Sequence, residues 1–255
     1  VVEGFSPADP SRAGLFLDFD GTLAPIVANP ADSAMTPDLA PVLSDLAERL
    51  GLLAVVSGRP AAFLAARAGV RGVRLLGLYG LQEYVDGTVR ARPEAAAWEA
   101  AVDDARDLLA ARLAGLRGVT LEDKGLAVAV HWRNAEDRGS AGRAVERLVR
   151  DVAAATGLAR EPGKLVEELR PPVAWDKGAG VSALTRELGL ETVAYVGDDR
   201  GDLAAFAAVR RLGGLAVAVD AGDETPAEVL EAADLLLHGT EGVAVWLTDL
   251  RDALA

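Results

Sequence analysis

Cysteine is absent from the 255 residues, which excludes disulfides, thiolate metal sites and a cysteine nucleophile and points toward an intracellular setting. Aromatic residues are scarce, at 5% against a hydrophobic content of 51%, so the interior is expected to be built from alanine, leucine and valine. Positive charge is also in deficit. Lysine and arginine number 26 against 39 aspartates and glutamates, a formal charge of -13, and most of such a surface repels nucleic acid and anionic membranes. Any phosphate this chain binds must therefore meet a local cluster of positive groups. Membrane-spanning apolar runs are missing, and Val1–Pro10 lacks the basic start and apolar centre of a secretory leader. These absences predict a cytoplasmic protein with no nucleic-acid or membrane partner, and the acidic surface favours a monomer.

What is present is a rhythm. Short apolar runs ending in polar residues recur at Gly14–Phe19, Leu52–Val56, Val73–Leu76, Thr192–Val196 and Leu215–Val219, with helical-looking segments between several of them. This alternation predicts a Rossmann-like α/β core, a parallel sheet covered by helices on both faces. Such sheets hold ligands beyond the carboxyl ends of their strands, where Asp18, Ser57 and Asp198 would emerge together.

The stretch 86–170 interrupts the rhythm. A long helix is expected near Pro93–Leu116, then two extended runs, Val119–Glu122 and Leu126–Trp132, around a turn at Asp123-Lys124-Gly125. A second helix near Arg138–Thr156 and two further extended runs, the last Lys164–Leu169, complete an α+β unit. It reads as a domain inserted into a core made of residues 1–85 and 171–255, with Arg170-Pro171-Pro172 as a stiff return linker. Period-two alternation sets Leu126, Val128, Val130 and Trp132 on a bulky face, expected to pack on helices. Ala127, Ala129, His131 and Arg133 fall on a small and polar face with room above it, and Lys164, Val166, Glu168 and Arg170 share one parity.

The chemistry concentrates at strand ends. Leu15-Phe16-Leu17-Asp18-Phe19-Asp20-Gly21-Thr22 places two carboxylates two residues apart after a buried strand. Acids there are costly unless paired or bound to a hard divalent cation. Val193-Ala194-Tyr195-Val196-Gly197-Asp198-Asp199-Arg200-Gly201-Asp202 repeats the device and makes Asp198 a further metal ligand. Asp199 and Asp202 are either helix-start acids favoured by the macrodipole or groups that orient a lysine or a metal-bound water. Ser57-Gly58-Arg59-Pro60 offers a hydroxyl and backbone N–H groups to a phosphate oxygen, or else a plain helix cap. Lys177, in Trp175-Asp176-Lys177-Gly178, is either a solvated side chain or a counter-charge.

These four motifs, in this order, resemble the signatures of the haloacid dehalogenase superfamily: Asp-x-Asp-Gly-Thr, a Ser or Thr after the second strand, a Lys, and Gly-Asp-Asp-x-x-Asp. The place of the insert, between Ser57 and Lys177, resembles that superfamily's type-two caps. The resemblance implies Asp18 as nucleophile, Asp20 as general acid and base, and Ser57 and Lys177 as phosphate ligands, with Gly21, Thr22, Gly58 and Arg59 beside the substrate. It implies magnesium held by Asp18, the Asp20 carbonyl and Asp198, with Asp199 and Asp202 behind.

Within the insert, Glu122-Asp123-Lys124-Gly125, His131-Trp132-Arg133 and Gly163-Lys164-Leu165-Val166-Glu167-Glu168-Leu169-Arg170-Pro171 look like the cap of trehalose-6-phosphate phosphatases. Lys124, His131, Arg133, Lys164 and Glu168 then become candidates for holding a sugar phosphate, the small-molecule partner expected. One segment departs from that pattern: Gly77-Leu78-Tyr79-Gly80-Leu81-Gln82-Glu83 stands where the family commonly has Gly-x-His-Gly-x-Glu. This is either neutral variation or the mark of another disaccharide or pseudo-disaccharide phosphate. A sugar phosphotransferase of mutase type and a non-catalytic phosphosugar sensor are the alternatives of other classes.

Overall fold

The computed structural model describes residues 4–27, 30–163, 165–222 and 225–255. The chain alternates β1 (Ala13–Leu17), α1 (Leu39–Arg49), β2 (Leu52–Val56), α2 (Ala61–Ala68) and β3 (Arg74–Gly77) before a hairpin of β4 (Gln82–Val85) and β5 (Thr88–Ala91). Its turn is Asp86-Gly87, both with positive φ, as a two-residue hairpin of this kind requires.

An inserted stretch follows: α3 (Pro93–Ala96), α4 (Glu99–Leu113), β6 (Thr120–Asp123), β7 (Val128–His131), α5 (Arg138–Thr156), β8 (Ala159–Gly163) and β9 (Val166–Arg170). The chain then resumes alternation through α6 (Lys177–Glu187), β10 (Thr192–Gly197), α7 (Leu203–Arg211), β11 (Leu215–Asp220), α8 (Ala227–Glu231), β12 (Leu235–His238) and α9 (Gly239–Ala253).

Two compact units result, Val1–Arg90 with Trp175–Ala255, and Ala91–Ala174. The β4–β5 hairpin extends the sheet of the first unit, so that unit runs past residue 85 before the chain departs. Among the described residues no helix is long and apolar enough to cross a membrane.

The first unit is built on a sheet in the order β12-β11-β10-β1-β2-β3-β4-β5, parallel from β12 to β3. Strands β1 and β2 are buried along their full length. Their near-continuous apolar sequence is what a sheet covered on both faces demands. Alternate side chains feed two cores. Leu15 and Leu17 join Leu43 and Leu46 of α1 and Leu247 of α9 on one side, while Phe16 and Tyr195 meet Val181 and Leu184 of α6 and Phe206 of α7 on the other. Because β1 lies between β2 and β10, the connections leave it in opposite directions. The crevice at its carboxyl end is the topological switch point where ligands bind in such sheets.

The second unit sets α4 and α5 against an antiparallel sheet ordered β6-β7-β9-β8. Val128, Val130 and Trp132 pack with Val102, Leu109, Val145 and Val149, as the bulky parity of this strand predicts. The single helix expected over Pro93–Leu116 is instead two, α3 and α4, with Trp98 as the N-cap of the second at φ −104° and ψ 0°. Asp137 caps α5 by accepting from the Ser140 N–H at 2.9 Å, and Gly157 closes the helix in the left-handed region.

Candidate active site

Two strand ends, one helical turn and one helix start deliver the polar groups of the first unit to one place. Asp18 follows β1, Asp198 follows β10, and Asp202 enters on the helical turn ahead of α7. Lys177 opens α6, whose N-cap Asp176 accepts from the Ala179 N–H at 2.8 Å. Carboxylate oxygens of Asp18, Asp198 and Asp202 lie within 4.8 Å of one another, and all three residues are buried. Lys177 Nζ stands 2.8 Å from Asp18 Oδ1 and 2.7 Å from Asp202 Oδ1.

The three acids are not equivalent. Asp202 Oδ1 also accepts from the buried Tyr195 hydroxyl at 2.6 Å, and Oδ2 accepts the N–H groups of Asp198 and Asp199, each at 3.0 Å. With four donors on two oxygens, Asp202 is saturated and serves to hold Lys177. Asp18 and Asp198 keep lone pairs for a cation. Burial pushes the Asp18 carboxyl well above its usual range, with the charges of Asp202 and Asp198 adding to the push and Lys177 opposing it. Burial and then Asp202 raise Asp198 to about 7. Burial alone would depress Lys177, but Asp18 and Asp202 more than reverse it and keep the ammonium charged. One lysine against three buried acids leaves excess negative charge, and a divalent cation with oxygen preference fits that donor set.

Glycine makes the crowding possible. A Cβ on Gly21, whose φ is +78°, would stand 2.1 to 2.4 Å from the Asp198 carboxylate, while Thr22 donates to Asp198 Oδ1 at 3.3 Å. We expect Gly21→Ala to displace Asp198 and cut activity by roughly two orders of magnitude, the order of loss a misplacement of about 1 Å produces. Parallel measurements of turnover and of the apparent affinity for divalent cation check this. Wild-type values for both would contradict the role given to Gly21.

Asp20 is engaged rather than free. Its carboxylate accepts from Arg59 Nε at 2.7 Å, Arg59 Nη2 at 2.9 Å and the Ser33 hydroxyl at 2.7 Å, and the guanidinium lies 4.7 Å from the Phe63 ring centroid. Ser57 is buried, and its hydroxyl accepts from the Arg59 N–H at 3.2 Å. It does not cap α2, which begins after Pro60. That end is served by Gln82, whose Oε1 accepts from the Ala61 N–H at 3.1 Å. Glutamate offers the same acceptor, so the Gln82 departure keeps its local function. Next to it, Leu78 and Tyr79 both lie in the left-handed region, φ 48° and 62°, a conformation costing about 1–3 kcal/mol per non-glycine residue.

In the second unit, cross-strand register puts Glu122, Ala129, Glu168 and Glu161 in one row on one face of the sheet. That face carries Lys124 paired to Glu168 at 2.6 Å, His131 paired to Glu122 at 2.8 Å, and Arg170 paired to Glu161. Ala127 and Ala129 on it are buried, so it is less open than small side chains alone suggest. Glu167 turns to the helix side instead, buried and paired with Arg160 at 2.7 Å.

The sequence profile described as trehalose-phosphatase matches residues 16–235. The chain belongs to the trehalose-phosphatase family. A glycosyl hydrolase of Mycobacterium tuberculosis, itself uncharacterized, is 37% identical over 213 residues, which are 79% of this chain and 16% of that protein. A trehalose-phosphate phosphatase of Mycobacterium marinum is 35% identical over 204 residues, 78% of this chain and 52% of its own. The chain thus spans about half the length or less of these two curated relatives. Among solved structures, a trehalose-6-phosphate phosphatase related protein superposes with a TM-score of 0.77 at 23% identity, covering 94% of this chain and 97% of that one. That likeness concerns the fold.

Within this trehalose-phosphatase-family chain, Asp18, Asp198, Asp202 and Lys177 form one cluster, with Gly21 and Thr22 against Asp198. Arg59 is placed on Asp20. Asp199 is exposed and caps the turn before α7; it touches the cluster through its N–H, which donates to Asp202 Oδ2, and its carboxylate is not among the clustered acids. Lys124, His131 and Glu168 share a sheet face, while Arg133 lies beyond the end of β7 and is exposed. Lys164 lies outside the described residues. Sequence reasoning missed Ser33 and Tyr195. Nothing local marks Ser33, but a tyrosine in an otherwise apolar buried strand must hydrogen-bond its hydroxyl, and that signal was available.

Proposed function

We propose that the chain is a magnesium-dependent phosphomonoesterase that hydrolyses trehalose 6-phosphate to trehalose and phosphate through an aspartyl-phosphate on Asp18. The observation that carries this is the buried cluster of Asp18, Lys177, Asp198 and Asp202 at the switch point of a parallel sheet. Phosphoryl transfer asks chiefly for alignment and charge neutralisation, and this cluster offers a nucleophile with a fixed ammonium beside it.

Asp18 attacks phosphorus, and the ester oxygen leaves as Asp20 protonates it. Arg59 exchanges the Asp20 carboxylate for the substrate's phosphate, which frees Asp20 to hold that proton. Asp20 then takes a proton from water as water attacks the acyl-phosphate, so Asp18 is regenerated and phosphate released. Lys177 and Ser57 bind the phosphate oxygens, and Asp202 with Tyr195 keeps Lys177 in place. Magnesium, held by Asp18, the Asp20 carbonyl and Asp198, supplies charge neutralisation. Lys124, His131 and Glu168 of the second unit, together with Arg133 and Lys164, supply the groups that hold the sugar.

The test is a panel of phosphate esters, among them trehalose 6-phosphate, sucrose 6-phosphate, glucosylglycerol phosphates and p-nitrophenyl phosphate, assayed for released phosphate with and without magnesium. Trehalose 6-phosphate should give the highest kcat/KM. A different disaccharide phosphate in first place would change the substrate and keep the chemistry, and no release from any ester would end the reading.

Two further outcomes are expected. Glu168→Ala removes the carboxylate that Lys124 meets at 2.6 Å and should lower kcat/KM for trehalose 6-phosphate about tenfold or more relative to p-nitrophenyl phosphate, since only the former has a sugar to be read. Equal losses on both would contradict the sugar-binding assignment. The second concerns pH. Asp198 titrates near 7 in the folded chain against about 3.9 when unfolded, so the native state binds more protons between those values and its stability falls as pH rises through them. A divalent cation taking the ionised carboxylate offsets this loss. Magnesium should therefore raise Tm at about pH 8 and have little effect at about pH 4, as read from thermal unfolding, and an equal rise at both would be inconsistent.

A further inference from the structure

We infer that Tyr79 is a specificity-determining residue, its phenol hydroxyl taking a sugar hydroxyl close to the phosphoester of the substrate. The inference rests on the phosphate-loop reading of Ser57–Arg59 given above and adds a contact to the alcohol part of the ester.

Three observations lead to it. First, Tyr79 and its neighbour Leu78 hold left-handed backbone conformations, although glycines stand on both sides at 77 and 80. Glycine at 79 would adopt the same backbone without strain, so the side chain has a use that outweighs its conformational cost. Second, the strained pair is braced on the phosphate loop itself. The Leu78 N–H donates to Arg59 O at 2.9 Å and the Tyr79 N–H to Ser57 O at 2.8 Å, while the Trp175 indole N–H donates to Tyr79 O at 3.1 Å. Third, these bonds aim the ring. The Tyr79 hydroxyl, Cε1 and Cζ lie 3.0 to 3.1 Å from the position a Cβ on Gly58 would occupy. The tip of the phenol therefore lies over Gly58, between the two residues assigned to the phosphate.

A group so placed meets the substrate beside its phosphoryl end. The phenol both donates and accepts, and its ring offers an apolar face, which suits an alcohol carrying vicinal hydroxyls and C–H faces. The ligand class is a hydroxyl-rich phosphate monoester, a sugar phosphate. An aryl or simple alkyl phosphate has nothing to give this hydroxyl.

The experiment compares the wild-type chain with Tyr79→Phe, which keeps the ring and backbone brace and deletes one oxygen. Dissociation constants for trehalose 6-phosphate, glucose 6-phosphate and inorganic phosphate are measured by calorimetry with magnesium present and Asp18→Asn added to both chains so that no ester is consumed, and turnover of the first two is measured separately with Asp18 intact. The affinity ratio of trehalose 6-phosphate to inorganic phosphate should fall about five- to tenfold in the variant, as for one lost hydrogen bond. An unchanged ratio, or a loss shared equally by inorganic phosphate, overturns the inference and leaves Tyr79 as a brace for the loop. So does a wild-type chain with no preference for either sugar phosphate over phosphate. The two readings fail separately: a Tyr79-dependent preference without phosphate release would refute the phosphatase assignment and uphold this one.

Discussion

Asp18→Asn is expected to abolish phosphate release, by roughly four orders of magnitude or more, while the protein remains folded. Asparagine has nearly the volume of aspartate, and its carbonyl can still accept from Lys177 in place of Asp18 Oδ1, 2.8 Å away in the native chain. The amide cannot form an acyl-phosphate. The stability cost should be small or even negative, because burial already holds the Asp18 carboxyl well above its usual range, and a neutral amide is spared that desolvation penalty. Lys177 keeps Asp202 as its counter-ion. Single-turnover assays with trehalose 6-phosphate, read beside a thermal melt, separate the two effects. A variant that melts as the wild type and still turns over at a comparable rate would remove Asp18 as nucleophile.

The strand-end acids were legible in the sequence for a physical reason. A carboxylate after a run such as Gly14–Leu17 or Val193–Val196 breaks the rule that burial excludes charge, and glycine beside it signals close approach. Both features survive in one dimension. What the sequence concealed was how the acids divide their work. Asp199 and Asp202 look alike in the motif, yet one is exposed and caps a turn while the other is fully buried under four donors. That difference depends on Tyr195 and Lys177, which are distant from each other in sequence. Arg59 and Ser33 converge on Asp20 in the same way, through a contact that no spacing rule encodes. In the fold, the five short apolar runs all became strands, but β4, β5 and β12 were not anticipated. Strand β12 has only three apolar residues, Leu235–Leu237, before His238, and β4 carries Gln82 and Glu83, so both fall short of the apolar runs of the central strands. The break in the helix at Trp98 was hidden for the converse reason, since the alanine-rich sequence around it is helix-favouring throughout.

The division of labour among the acids can be tested through stability. Asp202→Ala should destabilise the protein by about 3–5 kcal/mol, the cost of breaking a buried ion pair by removing one member, which for a chain of this size lowers Tm by roughly 10 °C; Lys177 keeps Asp18 as a partner, 2.8 Å away. The mutation strips acceptors from Lys177 Nζ, the Tyr195 hydroxyl and the N–H groups of Asp198 and Asp199, and water does not easily reach groups so deeply placed. Tyr195 reports on the same carboxylate: burial first, and then the charge of Asp202, hold its hydroxyl pKa well above the usual value. Asp199→Ala removes an exposed cap that accepts from the Arg200 N–H at 2.7 Å and should cost about 1 kcal/mol or less. Turnover should follow the same order, because loss of Asp202 removes one of the two carboxylates that anchor Lys177 and lets the ammonium shift about Asp18, whereas loss of Asp199 leaves it where it is. Chemical unfolding of both variants beside their activities decides the point. Equal destabilisation by the two substitutions would mean that the buried carboxylate contributes no more than the surface one, and the account of Lys177 as a group fixed by Asp202 would have to be abandoned.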